Sequence, residues 1–159
     1  MKSIVRVLPL KRSFILSVAI LVLLIIFNFY GIYTNKFYFF KPDNYIFLLL
    51  STVHFTFLYV LWFKIKEDEL TDPKMRNIEY ILYGVLLIYV YKIFESIYVL
   101  TTYFDYENHV IPSTFLPIGI FILVLYLILT GLTLLTFKYR KERVGEYKFD
   151  DMNHMDSWE

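Results

Sequence analysis

Four long apolar stretches, each bounded by clusters of charge, constrain this chain more than anything else in it. They run over about 13–31, 45–63, 79–103 and 114–137. Their apolar cores hold 18 to 24 residues, which at helical rise reach roughly 27 to 36 Å, the thickness of a bilayer's hydrocarbon layer with some tilt. Backbone groups in lipid must find partners within their own segment, so each stretch is expected to be an α-helix. Charged residues make up 19% of the 159 and gather between the stretches, whereas a soluble domain of this size would need them spread over its surface. The expected fold is all-α: an integral membrane bundle of four transmembrane helices, a single domain over 1–143 with a short acidic tail over 144–159.

Orientation follows from lysine and arginine in the connections. The first arm carries Lys2, Arg6, Lys11 and Arg12, and the next connection only Lys36 and Lys41. The third holds Lys64, Lys66, Lys74 and Arg76, the fourth none, and the last helix leads into Lys138, Arg140, Lys141 and Arg143. Four, two, four, none, four is an alternating pattern, and it puts both termini and the middle connection in the cytoplasm. The expected location is a bacterial inner (cytoplasmic) membrane. The first stretch is longer than a signal-peptide core, and no small-residue cleavage site follows it, so it is read as a retained helix.

Local signals refine this picture. The aromatic run in "YGIYTNKFYFFKPDN" suits the outer membrane interface. Thr71 or Asp72 is placed to cap the third helix with Pro73 in its first turn, and Ser113 to start the fourth. Ser13/Ser17 and Thr52/Thr56 are small-residue pairs suited to close helix approach. The basic run after the fourth helix reads as a topology anchor.

Chemistry-bearing residues are few. There is no cysteine, which removes disulfides and thiolate chemistry. Phosphate-binding loops, nucleophile elbows and zinc-protease motifs are absent, and a net charge of +1 gives no reason to expect nucleic acid. What stands out is "YKIFESIY". Lys92 and Glu95 lie three apart in the third stretch, close enough to pair on one helix face. A lysine at mid-bilayer costs about 3 kcal/mol on insertion scales. His54 and Tyr126 fall in the same layer by residue counting, with Tyr91 on the Glu95 side. This Lys92–Glu95–His54–Tyr91–Tyr126 cluster is expected to face other helices or a second subunit, as a structural ion pair or a relay. His54 could instead bond through Thr52 or Thr56. In the connection after the third helix, Asp105, Glu107 and His109 alternate as weak cation-ligand candidates. One membrane histidine offers too little for haem, and no cofactor or metal is expected.

The leading expectation is a non-enzymatic subunit or scaffold of a larger membrane complex, with the lipid bilayer and other membrane subunits, or a second copy, as partners. The alternative is a small oligomeric ion or proton channel or transporter using the Lys-Glu-His cluster. An intramembrane enzyme or cofactor carrier built on His54 ranks third.

Overall fold

In the computed structural model, which describes residues 9–106 and 111–147, the apolar stretches form four helices. These are α1 (Leu10–Asn28), α2 (Asn44–Lys66), α3 (Pro73–Thr101) and α4 (Phe115–Arg143). All four are long and apolar enough to cross a membrane. A 3-10 turn, Thr102–Tyr106, follows α3. One element departs from the purely helical expectation. The connection between α1 and α2 carries a minimal antiparallel ladder, β1 (Tyr30–Gly31) against β2 (Lys36–Phe37), with Tyr30 opposite Phe37.

The helices outrun their apolar stretches where capping chemistry lets them. α3 starts at Pro73, because the Asp72 carboxylate accepts the Met75 N–H at 2.7 Å and proline costs nothing in the first turn. α4 runs through the basic cluster to Arg143 and is closed by Gly145, whose φ of +100° is left-handed backbone that a side chain would strain. At the other end of α4 the cap residue is Thr114, one position past the expected Ser113, and its side chain makes no capping bond.

The bundle is a ring. α3 packs most extensively on α4, then α1 on α4 and α2 on α3, and α1 on α2. α1 and α3 therefore occupy opposite corners. Leu21, Leu24, Phe57, Leu61, Leu82 and Leu129 fill the centre and are fully enclosed. Ser13 and Ser17 are buried too, and their small size suits the close approach of α1 to its neighbours. Gly119 leaves room on α4 for the Leu100 side chain of α3, since a Cβ there would come within 2.7 Å of it.

The hairpin is fastened over its end of the bundle. A Cβ on Gly31 would lie 2.6 Å from the Tyr38 ring, so only glycine fits beneath that tyrosine. Asn35 takes the left-handed position of the turn (φ 56°), which asparagine tolerates. Asn28 Nδ2 donates to the Asn44 carbonyl at 2.5 Å, Asn44 Nδ2 to the Tyr38 carbonyl at 2.8 Å, and Tyr33 and Thr102 share a hydroxyl bond at 3.1 Å. These links tie the hairpin to α1, α2 and the end of α3.

Candidate functional site

Because α1 and α3 stand at opposite corners, the bundle opens between them in its hairpin half, leaving a cavity of about 470 Å³. Its α3 wall is Lys92, Glu95, Ser96 and Val99, a spacing of three, four and seven that defines one helix face. Asn28 of α1, Asn44 of α2, Tyr126 of α4, and Thr34 and Lys41 of the α1–α2 connection add to its polar lining, and the hairpin tyrosines roof it.

Lys92 Nζ lies 2.5 Å from Glu95 Oε2, so the expected pair forms. It is not sealed between helices. The two side chains remain 29% and 42% exposed, on the cavity wall. Each keeps bonding capacity, because an ammonium has three N–H donors and a carboxylate about four acceptor positions. Ser96 does not supplement the pair, as its hydroxyl donates to the Lys92 carbonyl at 2.7 Å. Tyr126 is 5% exposed, and among the described residues its hydroxyl meets no hydrogen-bond partner.

The other members of the expected layer separate. His54 is fully buried on α2 and shares a 3.2 Å hydrogen bond with the Tyr89 hydroxyl through Nδ1, while Nε2 is buried without a partner. Thr52 and Thr56 bond carbonyls of their own helix instead. Phe47 lies between this layer and the cavity floor, packing at 6.1 Å on Tyr89 and 5.9 Å on Tyr126. Tyr91 points away from all of these and is 64% exposed on the outside of the bundle.

Sequence reasoning passed over a second ionic site at the opposite end. Glu79 of α3, 1% exposed, is gripped by Arg140 of α4, with Nε 2.7 Å from Oε2 and Nη2 donating to Oε1 at 2.8 Å. Tyr83 donates to Oε1 at 3.1 Å, and Tyr147 donates to Oε2. The Arg140 guanidinium lies 4.4 Å from the Tyr147 ring centre, and its Nη1 bonds the Gly145 carbonyl at 3.0 Å. Burial pushes the Tyr147 phenol above its ordinary range, and its bond to Glu79 adds to the shift. The chain thus folds back beyond α4 and inserts a hydroxyl into the bundle. Glu79 could have been noticed, since it shares an inward face with Met75, Leu82, Val85 and Tyr89.

On its outer side α3 carries a further pattern. Tyr80, Gly84, Leu87, Tyr91, Phe94 and Tyr98 follow one another at spacings of four and three, and all are exposed. Only 11% of the α3 apolar window is buried, against 28–33% for the other helices.

Asp105 is exposed in the 3-10 turn, while Glu107 and His109 lie outside the described residues. No group of three or more metal-ligating side chains occurs among the described residues. No protein family, curated protein or solved structure matches this chain.

Proposed function

We propose that this chain is an integral membrane protein with its termini and the α2–α3 connection in the cytoplasm, and that it acts as a non-enzymatic subunit of a larger membrane assembly. The observation that carries this reading is the exposed seam on α3. Its four-three spacing is the heptad pattern by which helices pack into one another. Gly84 sits in open space, with nothing within 4 Å of a Cβ, and small residues of this kind let a second helix approach in lipid. Tyr91 is at mid-helix, where a phenol turned towards acyl chains would lose its hydrogen bonds. A second helix covers such a face better than lipid does. The simplest occupant is α3 of a second copy, because a two-fold contact buries the same seam twice.

The chain has no cysteine, so single substitutions report contacts directly. Leu87→Cys, Tyr91→Cys and Tyr98→Cys should form disulfide-linked dimers in native membranes, while Ile120→Cys and Leu127→Cys on the exposed face of α4 should not. Gly84→Leu, for which the single chain has room, should leave the fold intact and convert the assembly to monomer. A wild-type monomer in nanodiscs, with no crosslink along the seam, ends this reading.

The transport alternative draws on the Lys92–Glu95 pair lining a cavity. It predicts ion or proton flux into liposomes that Lys92→Met and Glu95→Gln reduce, and the absence of flux removes it.

A further inference from the structure

We propose that the cavity beneath the hairpin binds a small zwitterion, a molecule carrying an ammonium group and an acid group a few bonds apart. At about 470 Å³ it has the size of a ligand site. Its charge pattern selects the ligand. Lys92 and Glu95 neutralise each other, yet both are reachable from the cavity and both keep unused hydrogen-bonding capacity. A simple anion would satisfy the lysine while competing with Glu95, and a simple cation would do the reverse. Either leaves one charge poorly compensated in a partly desolvated site, which is costly. A zwitterion completes a four-charge arrangement, with its acid on Lys92 and its ammonium on Glu95.

Three features support that assignment. Tyr126, 5% exposed and with its hydroxyl lacking a partner among the described residues, lines the same space and offers a donor to the acid group. Lys41, in the lining on the hairpin side, lets the acid group be shared between two ammonium groups while Glu95 stays available for the ligand's own ammonium. Tyr30, Tyr33 and Tyr38 bring aromatic rings to the roof, the surface that an alkylated ammonium favours. The ligand could be a free solute or a phospholipid headgroup, which share this chemistry.

The test uses the full chain in nonionic detergent and reads binding by calorimetry. Glycine betaine represents the free solute and glycerophosphocholine the headgroup; acetate and tetramethylammonium are the two halves. At least one zwitterion should bind about tenfold or more tightly than either half, and the better of the two identifies the source. Lys92→Met and Glu95→Gln should each weaken that binding about tenfold, and Tyr126→Phe a few-fold. Ser96→Leu should abolish it by filling the cavity while leaving the ion pair in place. Where a single charge change disturbs folding, the double variant Lys92→Met/Glu95→Gln removes both charges at once, and its melting profile verifies the fold. Halves that bind as well as the whole, binding that survives Ser96→Leu, or no binding of either zwitterion overturns the proposal. None of these readouts depends on the α3 seam, so the two hypotheses fail separately.

Discussion

The bundle holds a carboxylate and a cation at each end of α3, and the two pairs are built to opposite designs. Glu79 receives an Nη2 hydrogen bond and a close Nε contact from Arg140 together with two tyrosine hydroxyls, and is closed off from solvent. Glu95 receives Lys92 and otherwise faces a cavity. A buried carboxylate held by a guanidinium and two phenols has little bonding capacity left, so it serves structure. One held by a single flexible ammonium still has bonds to offer. The difference separates a closed contact from an open one.

The largest expected effect comes from breaking the closed pair. Arg140→Met should destabilise the fold by about 3–5 kcal/mol, because it strands a buried carboxylate. Chemical unfolding in detergent measures this, and Arg140→Met/Glu79→Gln should recover much of the loss. A single-variant loss under about 1 kcal/mol would mean that the cluster is not closed. Gly145→Ala should cost about 1 kcal/mol or somewhat more through its left-handed backbone. Tyr147→Phe should cost about 1.5 kcal/mol, the lower end for a hydrogen bond to a charged group. The Tyr147 phenol titrates above its ordinary value of 10.0 in the folded state, so its contribution is complete below that pH and fades as the medium becomes more alkaline. In Tyr147→Phe that part of the alkaline loss should disappear.

The open pair should behave otherwise. Lys92→Met should cost clearly less stability than Arg140→Met, because it leaves Glu95 on an open cavity wall and not sealed in the bundle, while acting strongly on ligand binding. A large stability loss with unchanged binding would reverse the contrast. The smallest effect belongs to the α2–α3 connection. There the Lys64 ammonium, 2.8 Å from Asp72, holds that carboxyl below its ordinary value of 3.8. Its contribution is present above that value and is lost as pH falls through the depressed one. Asp72→Asn should therefore lower neutral stability slightly and flatten the acid limb of the unfolding profile below about pH 3.8, so that variant and wild type converge in acid.

The four helices were legible because a 20-residue apolar run leaves few alternatives, and the start of α3 because Asp72 and Pro73 carry their capping chemistry locally. The Lys92–Glu95 pair was legible for the same reason, since three residues separate its members. What escaped was non-local. Arg140 reads as one of several basic residues after a membrane segment, and only the packing of α3 on α4 brings it to Glu79, 61 positions away. The polar side of α3 could be counted from helical angles. That it faces a cavity depends on α1 and α3 being diagonal corners, which no periodicity encodes. Helical angle puts Tyr91 on the Glu95 flank, but that flank turns outward, and Tyr91 stands 64% exposed in the seam.

Tyr147 also has a mechanical consequence. Its hydroxyl joins the end of the described chain to Glu79, so a pull on the residues that follow is delivered sideways into α3 as well as along α4 through the backbone. α3 carries the outward seam on one side and the cavity's charged wall on the other. A load on the C-terminal segment would therefore act as a lever on both surfaces at once.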